Sequence, residues 1–118
     1  MIYKIKRTLR NLKNWLPIIV KDEQWDYGFF YDMLYKKLEL KEEFFRSDNP
    51  SSTDALESAD QIKEVKDALK RLIDEDYITF AELQYDSKSA LKKEAELKQK
   101  DKDTVFDGMK NNIERWWD

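Results

Sequence analysis

Residues 54–76 read DALESADQIKEVKDALKRLIDED. Within them Leu56, Ala59, Ile62, Val65, Leu69, Leu72 and Ile73 recur at steps of three and four, the period that lines one face of an α-helix. Thr53 or Asp54 is the expected N-cap. Asp54 and Glu57 stand at capping-box spacing, and the stripe carries the helix to about Asp76. From Ile62 to Leu72 the spacing is coiled-coil-like, but for only about two heptads, which suits packing in a bundle.

The flanking sequence repeats the theme. Ile2, Ile5, Leu9, Leu12 and Leu16 predict an amphipathic helix over 2–16, with Lys6, Arg7, Arg10 and Lys13 on other faces. Pro17 is expected to end it, because the residue before proline disfavours α geometry. Ile18 to Val20 then read as a buried connector, and Asp22 as the N-cap of a helix from about Glu23 to Arg46. That second helix has two apolar faces: Tyr27, Phe30, Tyr31, Leu34, Leu38 and Phe45 on one, Trp25, Phe29, Met33, Leu40 and Phe44 on the other. Such a helix is either central or buried on one side and bound to a partner on the other. Gly28 inside it marks a candidate close approach between helices. Residues 47–53 form the clearest loop.

Residues 77–87 read as a short helix or an extended turn. Helix is expected again from Ser87; residues 92–104 are strongly polar and fit an exposed helix, a protruding arm or a flexible linker, which makes 86–104 a candidate arm. Val105, Phe106, Met109, Ile113, Trp116 and Trp117 resume a helical stripe to the end. Two tryptophans at a terminus argue that it docks, on this chain or on another.

The expected fold is a single all-α domain over 1–118, a bundle or hairpin stack of four to five helices. Two glycines and two prolines in 118 residues are too few for the turns of a β-rich fold. A compact chain of 14.3 kDa would expose about 6,800 Å² of the roughly 20,700 Å² of its unfolded form, burying about two-thirds. No stretch approaches a membrane span.

The same composition excludes much chemistry. Histidine and cysteine are both absent, which removes histidine-based triads, thiol catalysis and His/Cys zinc sites. No glycine-rich phosphate loop is present. Asp22, Asp26 and Asp32 are the nearest thing to a carboxylate metal site, but acids at a helix start have the simpler explanation of capping. The chain therefore reads as a non-enzyme with no cofactor and no metal.

Charge is uneven. Residues 1–21 carry six cations and no acid, whereas the other 97 residues carry 16 cations and 25 acids, a net of −9. The basic first helix either lies on the acidic remainder or meets an acidic protein or phosphate. It could also lie in a membrane interface, although such a stripe is more often a bundle face. No recognised nucleic-acid motif accompanies it.

All four tryptophans fall in or beside two acid-containing clusters, Trp15 with 21–27 and Trp116-Trp117-Asp118. They read first as a structural clasp: Trp15 and Trp25 flank the corner after Pro17, and the terminal pair closes the same bundle. The candidate binding residues are Arg7, Arg10, Trp15, Trp25, Asp26, Phe29, Met33, Trp116 and Trp117. Tyr3, Arg7, Arg10, Trp15, Trp25, Tyr27 and Tyr31 are also of the types that build an aromatic and basic nucleotide pocket.

The run Trp15…Lys21-Asp22-Glu23-Gln24-Trp25-Asp26-Tyr27, with Leu34 and Lys37-Leu38 after it, resembles a group of small tailed-bacteriophage proteins. Asp76-Tyr77 and Ile113-Glu114-Arg115-Trp116-Trp117-Asp118 resemble the same group. Glu23-Gln24 departs from its pattern, which has an Arg-Asp-like pair there. The resemblance covers most of the chain, least over 86–104, and brings no catalytic residues. It implies expression in the cytoplasm of an infected bacterium. It also implies a binding protein that inhibits a host factor by protein contact, with counter-defence as one setting. A protein that sequesters a nucleotide-like signal and a self-assembling phage component are the alternatives.

Overall fold

A computed structural model describes residues 1–22, 27–47 and 54–117. Those residues form five helices and no strand: α1 (Ile2–Ile19), α2 (Gly28–Arg46), α3 (Ala55–Asp74), α4 (Phe80–Tyr85) and α5 (Ser87–Trp116). The all-α helical stack expected from the periodicity is the fold.

The core is built on α3, against which both α2 and α5 pack. Ala59, Ile62, Val65, Leu69 and Leu72 are buried, as the stripe predicts, together with Leu38 and Phe45 from α2 and Val105 and Trp116 from α5. Leu56 is exposed and Ala55 buried in its place. At 3.6 residues per turn Leu56 lies well around the helix from Val65 and Leu72, so it never belonged to the inward face. Asp54 holds the N-cap position, its carbonyl accepting from the Ser58 amide at 3.0 Å. Glu75 closes the helix in the left-handed region, φ 53°, its amide donating to the Arg71 carbonyl at 2.9 Å.

Beyond α3 the chain makes one hairpin. Thr79 caps α4 by accepting the Glu82 amide at 3.0 Å, and Asp86 caps α5 by accepting that of Ser89 at 3.2 Å. The polar stretch and the terminal stripe then run as one helix of 30 residues. Of the three readings for the polar stretch, it takes that of a helix. Trp116 docks on its own chain, 1% exposed. Its indole N–H points to Gln61 Oε1 at 3.4 Å, and the Arg115 guanidinium donates to the same oxygen.

Several expectations at the α1–α2 corner are corrected. Pro17 lies inside α1, which continues to Ile19. Proline removes only its own N–H bond, and the Val20 amide still reaches the Leu16 carbonyl at 3.0 Å. The connector is not buried: Ile19 and Val20 are exposed and only Ile18 is half-covered. Tyr27, not Asp22, holds the N-cap position of α2. Gly28 is therefore the first residue of the helix. A close approach is present at Gly108 of α5, where an added Cβ would stand 2.5 Å from Val65 Cγ2. Tyr27 and Phe30, grouped by periodicity on one face with Leu38 and Phe45, are exposed while Leu38 and Phe45 are buried.

The molecule is long, 61 × 35 × 22 Å with a radius of gyration of 17.5 Å, against about 13.5 Å for a compact chain of this length. It exposes 9116 Å², well above the expected ~6,800 Å². The surplus, roughly 2,300 Å², exceeds the ~800 Å² that one partner contributes to a standard protein interface.

Candidate binding surface

Helix α1 contributes much of that surplus, because none of its residues is buried. It touches the rest of the protein through Asn14, Trp15 and Ile18, which are half-covered. Lys37 of α2 places Nζ 5.3 Å from the Trp15 ring centroid, a cation–π contact that pins the end of the arm. Pro17, Ile18 and Lys21 face Tyr35, Lys36 and Ile73 across a shallow groove. The stripe expected to be a bundle face is turned away from this contact. Ile2, Ile5, Leu9, Leu12, Leu16 and Ile19 are each 52–70% exposed.

A second open apolar surface runs along α2. Leu38, Glu42 and Phe45 bury one side of that helix against α3. On another side Phe30, Met33 and Phe44 are exposed, with Phe29 and Leu40 half-covered between them. Lys41 bridges the two sides, its Nζ 4.7 Å from the Phe44 ring and 5.1 Å from that of Phe45. Partial burial lowers the pKa of its ammonium.

Two polar clamps hold the scaffold beneath these faces. In the first, Arg71 of α3 grips Asp101 of α5 with Nη2 to Oδ1 at 2.9 Å and Nε to Oδ2 at 3.0 Å, while the Tyr77 hydroxyl donates to Oδ2 at 2.7 Å. Burial pushes the Asp101 carboxyl up, but those hydrogen bonds outweigh it and hold its pKa below the ordinary value. Burial and the hydrogen bond to Asp101 push the Tyr77 phenol well up, so it stays a donor. In the second clamp Glu42 accepts from Arg46 at 2.8 Å and lies 2.6 Å from Lys66 Nζ. Burial again raises the carboxyl and the two cations lower it further than burial lifts it.

The predicted site residues are not gathered in one place. Arg7 and Arg10 are exposed along α1, with the Arg7 guanidinium 5.7 Å from the Tyr3 ring. Trp15 sits at the α1–α2 contact, and Phe29 and Met33 lie on the open side of α2. Trp116 is core, which removes it from any binding surface; Trp117 packs on it edge to face, centroids 6.2 Å apart. Trp25 and Asp26 lie outside the described residues. The cleft beside Tyr27 and Tyr31 is lined by Asp32, Leu72, Ile73 and Glu75, with no cation among its described residues, so phosphate would meet carboxylates there. Among the described residues no group of three or more acids is placed to hold a metal ion, and no helix is long and apolar enough to cross a membrane.

Sequence reasoning missed that the α1 stripe is open. The available signal was its charge: α1 carries five cations and no acid, and α2, with four cations and four acids, offers it no net attraction. Compared with protein-family models, curated proteins and solved structures, the chain matches none.

Proposed function

We propose that this chain is a non-enzymatic binding protein, phage-encoded, that inhibits a host factor by covering part of its surface inside the infected bacterium. The observation that supports this most is the open side of α2, where Phe30, Met33 and Phe44 face solvent on a helix whose other side is fixed in the core. Aromatic side chains and methionine are enriched at the buried centre of protein interfaces, and a rigid element presents them without an ordering penalty. The phage setting, and counter-defence within it, rests on the resemblance of the Trp15–Tyr27 segment and the Trp-Trp-Asp end.

The reading is tested by affinity purification of the tagged full chain from producing bacteria, with mass spectrometry of what co-elutes. The wild type should retain one host protein in defined proportion. The Met33→Glu/Phe44→Glu double variant should lose it while its circular dichroism stays helical, since neither side chain is buried. Retention of the same proteins by both forms, or of none by either, defeats the proposal.

A further inference from the structure

We propose that α1 is a membrane-surface helix, which lays its apolar stripe into the interface of an anionic bilayer. This goes beyond the reading above and stands on a different helix.

The stripe of Ile2, Ile5, Leu9, Leu12, Leu16 and Ile19 stays open in the folded protein, because the arm is held by residues on another face. At 100° per residue Lys6 and Lys13 fall along one edge of the stripe and Lys4 along the other. Their alkyl stems can follow the apolar surface while the ammonium groups reach outward to headgroup phosphates. A bulky apolar stripe edged by cations, on a helix that is polar overall, is the pattern of an interfacial helix. The 18 residues of α1 give a rod of about 27 Å, and its five cations suit it to lie along the surface and not to span.

Charge complementarity selects the occupant. Residues 1–21 hold six cations and no acid. Pairing two α1 stripes from two copies would set these cations against each other with no carboxylate to relieve them. The open side of α2 is no better, since Lys37 and Lys41 stand on or beside it. The charges call for an anionic occupant, and neither the α1 stripe nor the open side of α2 of a second copy supplies one. Between an acidic protein groove and an anionic bilayer, the side chains favour the bilayer. The stripe is wholly aliphatic, whereas protein hot spots concentrate energy in tryptophan, tyrosine and arginine. A bilayer needs no matching pockets, only apolar depth under a negative plane. The remainder of the chain, at −9, is repelled by that plane, which orients α1 toward the lipid and the bundle away from it.

The test is co-sedimentation of the full chain with vesicles of phosphatidylglycerol and phosphatidylethanolamine, beside vesicles of phosphatidylcholine alone. Binding is expected on the anionic vesicles, weakening as salt rises, and little on the neutral ones. Leu9→Glu/Leu12→Glu should reduce the partition by about a hundredfold or more with helicity retained, while Met33→Glu/Phe44→Glu still binds. No binding to anionic vesicles overturns the proposal, as does equal binding by the Leu9→Glu/Leu12→Glu variant. If that variant instead loses a host protein or a dimer while vesicles are ignored, α1 docks on an acidic groove or a second copy and the lipid assignment falls. In each of these cases the α2 pull-down is read separately.

Discussion

Asp101 sits in the most polar stretch of the chain, between Lys100 and Lys102, and yet it is buried. A buried carboxylate is tolerated only where its charge is met. Arg71 meets it with both prongs of its guanidinium, and Tyr77 supplies a third donor. The clamp ties α3, the connector after it and α5 together, so Asp101→Ala is expected to lower unfolding free energy by about 2–3 kcal/mol near neutral pH. The sign of the pH dependence follows from the depressed pKa. A carboxyl held low in the native state contributes stability above its unfolded pKa and loses it as pH falls through the native value. Urea titrations of both proteins should therefore differ most near neutrality, with the gap narrowing only once the pH falls below the ordinary carboxyl value of about 4 and closing below the depressed native one. A gap that stays constant into acid would mean that the carboxylate charge contributes nothing. Nothing in the sequence singled out Asp101, because a single charge among lysines gives no sign of which way it faces. Trp116 was half legible: that it docks was expected, but whether on this chain or on a partner was not, and only its burial against α3 decides.

At the scale of the helices, periodicity read well where apolar residues recur along one face, as in α3, and poorly where the pattern had to be placed against a neighbour. Phe30 was grouped by its spacing with Leu34, Leu38 and Phe45, but the α3 contact falls farther around the helix, at Leu38, Glu42 and Phe45. Glycine shows the same limit. Gly28 attracted attention for its position inside a predicted helix and proves to be its first residue, while Gly108, which nothing in the sequence singled out, is where α5 crosses Val65. Only the tertiary structure reveals the contact at Gly108. By propensity alone Gly108→Ala should stabilise α5 by about 1 kcal/mol. The Cβ would, however, meet Val65 Cγ2 at 2.5 Å, and valine in a helix has almost no alternative rotamer. Overpacking of this kind costs about 1–3 kcal/mol, so Gly108→Ala should be net destabilising. In a Val65→Ala background the same substitution should become stabilising, a reversal that a double-mutant cycle by chemical denaturation reads directly. If Gly108→Ala stabilises the wild-type background, the contact is looser than the geometry gives.

For the molecule as a whole, stability is concentrated at one end and open surface at the other. Ala59, Ile62, Ala68 and Leu69 of α3 have no exposed area, whereas α1 has no buried residue at all. Helical hydrogen bonds without tertiary cover are marginal: an isolated helix shorter than about 12–15 residues is barely stable in water. The part of α1 before its Asn14–Ile18 contact is of that size. Hydrogen exchange followed by mass spectrometry should therefore divide the chain. Peptides from 59–72 should exchange only through global unfolding, and peptides from 2–12 should exchange orders of magnitude faster through local opening. Anionic vesicles should then slow exchange over 2–12 and leave α3 unchanged, because an interfacial helix gains its cover from the lipid. A host protein seated on the open side of α2 should protect residues 30–44 and leave 2–12 fast. Strong protection of 2–12 in the free protein would show that the stripe is already covered in solution, and both the length of the molecule and the role given to α1 would have to be revised.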